Sequence, residues 1–224
     1  MELREVTYLA VIFRVLTAVI IGGLLGLERE LKNRAAGLRT YMLVCTGACL
    51  IMLTNQYIFQ VSGVGDPVRM GAQVISGIGF LGAGTIIVTR RNQIKGLTTA
   101  AGLWTAAGVG LAVGVGFYEA AVIGALAISF VMTLMQKLDA RMRRKSRRIE
   151  IYVEISSQLS LGNFLQHLRE RDMNPEDVMR DRNAQADSDV RCYTATIKFS
   201  KSKIHSRVLE EILSLPGVEY LEEL

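Results

Sequence analysis

The chain has 224 residues, half of them hydrophobic, a formal net charge of +5 and three cysteines. Three thiols cannot form a full disulfide set, which excludes a small disulfide-stapled secreted scaffold. The apolar residues gather in runs of about 18 to 22, so the basic excess reads as membrane topology, and a nucleic-acid surface is set aside.

In chain order, five apolar stretches are predicted to cross a bilayer as helices: 8–27, 40–61, 68–88, 97–115 and 117–136. In lipid every backbone N–H has to be paired within its own segment, which selects helices of this length. The connections alternate. Arg29, Lys32, Arg34 and Arg39 follow the first stretch, Arg90, Arg91 and Lys95 follow the third, and Lys137 opens a basic run after the fifth. The other connections hold little that is basic except Arg69. Positive charge marks the cytoplasmic side, so the N-terminus is expected outside and the C-terminus inside. The start, Met1-Glu2-Leu3-Arg4-Glu5, is not that of a secretory signal peptide. The first run ends in Glu28-Arg29-Glu30, a poor cleavage site, so the first helix is expected to be retained.

Residues 138–148 form a basic linker with six Lys or Arg and one acidic residue, suited to anionic lipid. The tail, 149–224, is acidic and reads as βαββαβ, with strands at 149–155, 177–182, 190–199 and from Val218, and helices at 161–171 and 204–213. Pro175 is expected to mark a turn, as is 183–187. The expected class is thus a five-helix membrane bundle plus an α+β ferredoxin-like domain whose exposed strand edge suits pairing into a homodimer.

No enzyme signature is found. His167 and His205 sit among ordinary helical charges and are expected to be solvated. Gly77-Ile-Gly79-Phe-Leu-Gly82 matches a dinucleotide-binding pattern on paper, but inside an apolar span and not at a strand-to-helix turn. Cys45 and Cys49 lie one helical turn apart and are read as small packing residues ahead of half a metal site.

The glycines are read as helix-packing positions: Gly22 and Gly26 in the first span, Gly77, Gly79, Gly82 and Gly84 in the third, with others in the fourth. A sharper reading is a broken or re-entrant helix around Gly79–Gly84. Ionisable groups in or near the membrane are the other informative set. Arg14 is expected either to snorkel outward or to pair with Asp66 or Glu119, forming an outer cluster with Asp66 and Arg69. Glu28, Arg29 and Glu30 are expected to meet Arg39 in an inner ion-pair cluster. Whether those carboxylates also meet a hydrated divalent cation is left open.

Several of these motifs together resemble the MgtC/SapB family: Glu28-Arg29-Glu30, Ala36-Gly37-Leu38-Arg39-Thr40, Gly77 through Gly84, and Lys95-Gly96-Leu97-Thr98-Thr99-Ala100-Ala101 with Leu103-Trp104. The tail is similar to the ACT-like cytoplasmic domain of the MgtC branch. The resemblance implies a bacterial inner-membrane protein that is no enzyme and needs no cofactor, tied to growth under magnesium limitation and, in pathogens, to virulence and survival inside macrophages. It implies action by binding membrane proteins such as ATP synthase, with effects on membrane potential and ion homeostasis. Transport of magnesium or another cation is the alternative. In that branch Asn usually stands at the position of Thr98 and Cys at the position of Thr105, both tied to virulence, so those roles do not carry over directly. Lys95 through Thr99 are expected at the cytoplasmic entry to the fourth helix, with Gly96 as a packing position and Trp104 packing against the glycines.

Overall fold

A computed structural model describes residues 5–89, 93–135, 138, 141–142, 146–180, 190–199 and 205–224, apart from the side chains of His205 and Ser206. Arg90, Arg91, Lys137, Arg143, Arg144 and Lys145 of the basic connections, and the expected turn at 183–187, lie outside the described residues. The chain divides into two compact units, Met1–Thr89 with Ile94–Gln136, and Arg90–Gln93 with Lys137–Leu224.

The first unit is helical. Helix α1 (Tyr8–Leu31) starts at Thr7, whose hydroxyl accepts the Ala10 N–H at 3.2 Å and so satisfies one of the donors a helix start leaves unpaired. Helix α2 (Leu38–Ser62) stops at Gly63 in the left-handed conformation (φ 64°), which removes the Cβ clash such a cap would otherwise meet. Helix α3 (Arg69–Gly84) leads into a short antiparallel hairpin, β1 (Ile87–Val88) with β2 (Ile94–Lys95). Helix α4 (Leu97–Val115) follows, and α5 (Tyr118–Phe130) continues as a π-turn over Val131–Met135. The hairpin reaches α4 only through Gly96 (φ 100°), where a Cβ would collide with the Thr85 carbonyl oxygen.

Among the described residues four helices are long and apolar enough to cross a membrane: α1, α2, α4 and α5 with its π-turn. Helix α3 has 16 residues and is shorter than the expected span 68–88, because the chain leaves the helix at Thr85 to make the hairpin. It runs unbroken through Gly77, Gly79 and Gly82, so the expected break around Gly79–Gly84 is replaced by a helix end. Helix α4 packs against all four of the other helices. Its buried face closes a core with Ala18, Ile21 and Leu25 of α1 and Tyr41, Cys45, Cys49 and Leu53 of α2.

The second unit is α+β. Its elements are β3 (Arg148–Ser156), α6 (Leu161–Glu170), β4 (Met173–Arg180), β5 (Val190–Phe199), α7 (His205–Leu213) and β6 (Val218–Glu223). The sheet order β4-β5-β3-β6, antiparallel throughout, is that of a split βαβ unit. Alternate residues Ile149, Ile151, Val153 and Ile155 of β3 pack with Phe164, Leu168, Val208 and Ile212 of the helices, as the period of two requires. Pro175 lies inside β4 and not in a turn. A proline has no N–H to donate, and β4 is an edge strand, where none is needed.

On the opposite sheet face, Tyr152 donates to Glu154 Oε1 at 3.0 Å and meets the Tyr220 ring edge-on at 6.4 Å. Burial, helped by Cys192 and Glu154, pushes the Tyr152 phenol above its ordinary value of 10.0. A raised phenol pKa adds stability that is complete below pH 10 and is lost as the pH climbs toward the raised value. Urea unfolding of the full chain, followed by its β-sheet dichroism, is therefore expected to soften above about pH 10. Tyr152→Phe is expected to flatten that dependence, and an identical profile in the variant would discount the role of this phenol.

Candidate functional site

The buried face of α1 runs Arg14, Ala18, Ile21, Gly22, Leu25, Gly26, Arg29, a helical stripe with a guanidinium at each end. The two arginines are 1% and 3% exposed. A buried charge is costly unless its donors are matched, so what each one touches defines the polar sites of the bundle.

At one end, Arg14 Nη1 donates to Gln56 Oε1 at 2.6 Å and to the Gly114 carbonyl at 2.8 Å. Its Nη2 reaches the Glu5 carbonyl at 3.5 Å. Gly114 lies in the last turn of α4, where the carbonyls are unsatisfied and the helix dipole favours a cation. Gly116, in the turn into α5 (φ 81°), makes room, since a Cβ there would come within 3.1 Å of Arg14 Nη2. Arg14 is thus a bolt across α1, α2 and α4, and it does not snorkel to the surface. Asp66 does not join it: the exposed carboxylate accepts the Val68 N–H at 2.9 Å, at the start of α3. Arg69 is exposed, so the expected outer cluster of Arg14, Asp66 and Arg69 is not formed. Asn55 instead fastens this end, donating to the Pro67 carbonyl.

At the other end, Arg29 Nη2 donates to Thr99 Oγ1 at 2.9 Å. Glu28 pairs with Lys32 one turn on, and Glu30 Oε2 accepts the Leu38 N–H at 3.1 Å, closing the α1–α2 hairpin. Arg39 is exposed and joins none of these, so the expected cluster is replaced by three separate contacts. The fully buried Tyr41 points its hydroxyl at Gly102, one turn along α4 from Thr99. Its oxygen and Arg29 Nε have no hydrogen-bond partner among the described residues.

Between the two ends the helices meet backbone to backbone. A Cβ on Gly22 would lie 2.8 Å from the Tyr41 carbonyl oxygen, and one on Gly26 would lie 2.8 Å from Leu38 Cα. In the same sense, a Cβ on Gly110 would collide with the Cys45 carbonyl oxygen, and one on Gly114 would lie 2.7 Å from that of Cys49. Cys45 and Cys49 are thus buried in the seam where α2 meets α1 and α4. Among the described residues no group of three His, Cys, Asp or Glu side chains is placed to hold a metal ion.

The third-span glycines behave differently. A Cβ on Gly82 would sit 3.4 Å from Ala100 Cβ, but side chains on Gly77, Gly79 or Gly84 would meet nothing within 4 Å, so these three are not packing positions within the bundle. Trp104 is 49% exposed. Lys95 and Thr98 are exposed, while Thr105 is half-buried with its hydroxyl on the Gly102 carbonyl at 2.9 Å. Thr98 and Thr105 line a cavity of about 270 Å³ with Ala127, Val131 and Met132 beside the π-turn.

Sequence reasoning missed Gln56 and Tyr41. The signal for Gln56 was present: a polar pair, Asn55-Gln56, inside an apolar run, at a depth that matches Arg14 across an antiparallel hairpin.

The pattern of the MgtC family matches residues 15–141. The chain belongs to the MgtC family. That match takes in α1 from Val15 onward, with α2 through α5, so Arg29 and the partners of both buried arginines on α2 and α4 lie inside the family region, and Arg14 stands one residue before it. Among curated relatives, YhiD of Escherichia coli K12, named there as a candidate magnesium transporter, is 36% identical over 67% of this chain and 72% of its own length. SapB of Bacillus subtilis is 31% identical over 90% of this chain and 89% of its own, a span long enough to take in most of the tail. MgtC of Brucella abortus is 48% identical over 38% of this chain and 34% of its own. No solved structure matches the chain. Family membership and the apolar helices together make this a membrane protein of the MgtC family with a separate α+β domain.

Proposed function

We propose that this MgtC-family chain is a non-enzymatic regulator of the bacterial inner membrane, acting by docking on other membrane proteins and not by passing ions through its own bundle. The observation that carries the reading is the absence of ionisable side chains from the middle of the bundle. Residues 15–27, 40–62, 70–89, 97–116 and 120–136 contain no Asp, Glu, Lys, Arg or His. The helices there close on one another through Gly22, Gly26, Gly110 and Gly114. A conduction path needs polar or ionisable lining at mid-depth, whereas a docking protein needs outward small-residue and apolar faces. Helix α3 offers such a face at Gly79 and the exposed Phe80.

In this reading the role is adaptation to low magnesium and survival in macrophages, with ATP synthase as one partner and with effects on membrane potential and ion homeostasis. The chain crosses the membrane five times, N-terminus outside and tail in the cytoplasm. Support for the fifth crossing comes from the ends of the bundle. Val6 N bonds Gln60 Oε1 at 2.7 Å, which places the start of α1 beside the end of α2, while Arg29 bonds the start of α4. The segment carrying α3 and the hairpin therefore runs from one end to the other. The tail is read as ACT-like and dimerising through an edge strand.

The test is Gly79→Leu in the full-length protein. A side chain there meets nothing within the bundle, so the melting temperature is expected to stay at the wild-type value. Recovery of ATP synthase subunits with the affinity-purified protein, quantified by mass spectrometry, is expected to fall about tenfold, the loss of roughly 1.4 kcal/mol of docking energy. Proteoliposomes of the wild-type protein are expected to pass no magnesium, potassium or protons beyond empty vesicles. Flux that falls in Glu28→Gln would overturn the reading in favour of transport.

A further inference from the structure

Helices α2 and α3 meet where Gly71 faces Met52, and Ala48 and Ile78 share a small core with Ala107. The two helices leave a groove of about 740 Å³, floored by Ala107 of α4 and walled by Leu43, Gly47 and Ile51 on one side and by Gln73, Gly77 and Leu81 on the other. One charged residue lines it, Arg69, at the first turn of α3. Among the described residues the Arg69 side chain has no acidic partner. The groove therefore has the polarity of a lipid: a cation and an amide at its mouth, then hydrocarbon. From Arg69 to Leu81 it descends about 18 Å at 1.5 Å per residue, slightly more than the half-thickness of a bilayer core of about 30 Å.

We propose that this groove is a binding site for one anionic phospholipid, its phosphate on the Arg69 guanidinium and an acyl chain lying along Gly77 toward Leu81. The start of α3 adds its positive dipole end at the same mouth, although Asp66 already takes the Val68 and Arg69 N–H groups there, so the Arg69 guanidinium is the group that selects an anion. A second copy of the chain fits less well. Two-fold contact about an axis along the membrane normal would bring the two Arg69 side chains to the same depth on facing surfaces, like charges in a poorly screened setting. Glycine at 47 and 77 matters because neither position meets anything within 4 Å, which keeps the groove wide enough for a chain of methylenes.

The experiment is native mass spectrometry of the full-length protein released from detergent after exchange with dioleoyl phosphatidylglycerol or dioleoyl phosphatidylcholine. Wild type is expected to retain one phosphatidylglycerol with about fivefold preference over phosphatidylcholine, the worth of one basic residue near a headgroup. Arg69→Gln is expected to bring the two lipids to parity. Gly77→Leu is expected to cut retention of both while the melting temperature holds, because the added side chain enters the groove and not the core. Equal retention of the two lipids by the wild type, or undiminished retention by Gly77→Leu, overturns the proposal. So does a wild-type dimer that Gly77→Leu dissociates, which would hand the groove to a second copy. None of these readouts depends on Gly79 or on any protein partner, so the docking reading and the lipid site can fail separately.

Discussion

Gly110→Ala is expected to destabilise the membrane bundle by about 3 kcal/mol or more, at the upper end of overpacking effects. The new methyl would collide with the Cys45 carbonyl oxygen and lie 2.9 Å from Ala48 Cβ. A flexible side chain can swing away from such a clash, but a carbonyl inside a helix cannot, so α2 and α4 have to separate. That separation loosens the seam on both sides, because Cys45 also lies 2.9 Å from the Cβ position of Gly22 on α1. Close approach between small residues supplies most of the attraction between helices in lipid, where no hydrophobic effect operates, and the added methyl removes it here. Thermal unfolding in detergent is expected to drop by roughly 10 °C. Gly108→Ala is the matched control: nothing lies within 4 Å of its Cβ position, and alanine is the better helix former by about 1 kcal/mol. If both variants melt alike, the close seam is not what holds α2 to α4.

The contrast between Gly108 and Gly110 also shows what was legible in the sequence and what was not. Apolar run lengths and the period-two pattern of 149–155 suffice for the helical part, and for the tail's βαββαβ order. They suffice because burial in lipid and burial against a sheet each impose a period that composition cannot hide. Glycine count alone does not say which glycines meet a neighbour. The richest glycine segment, in α3, faces outward at Gly77, Gly79 and Gly84, while the tight crossings use Gly22, Gly26, Gly102, Gly110 and Gly114. That distinction depends on helix phase relative to partners, which one sequence does not contain. The length of α3 was overestimated for a related reason: Ile87 and Val88 continue the apolar run but belong to the hairpin, and hydropathy cannot tell a strand from the last turn of a helix. Charge pairing was the weakest inference. Sequence proximity suggested carboxylate partners for Arg29 and Arg39, but a guanidinium is equally well served by a threonine hydroxyl, as it is for Arg29.

Arg14 provides the second large effect, because its Nη1 serves acceptors on two other helices at once. Arg14→Leu removes the donor to Gln56 Oε1 and to the Gly114 carbonyl, leaving both oxygens buried where water does not reach them. Each unsatisfied buried acceptor costs about 1 to 3 kcal/mol, so a loss of roughly 3 kcal/mol is expected in the unfolding free energy. Arg14→Lys is expected to recover less than half of it, since an ammonium on a flexible stem lacks the rigid plane that aims Nη1 and the second nitrogen that reaches the Glu5 carbonyl. The double variant Arg14→Leu/Gln56→Leu separates the cost of losing the bond from the cost of stranding a partner. With the glutamine amide gone, one orphan disappears, and replacement of a buried polar pair by packed apolar groups is often close to neutral. It is therefore expected to be more stable than Arg14→Leu alone by about 1 kcal/mol or more. Additive losses in the double variant would mean that Arg14 and Gln56 stabilise the bundle independently, and that the arginine is not the bolt holding α1 to α2 at this end.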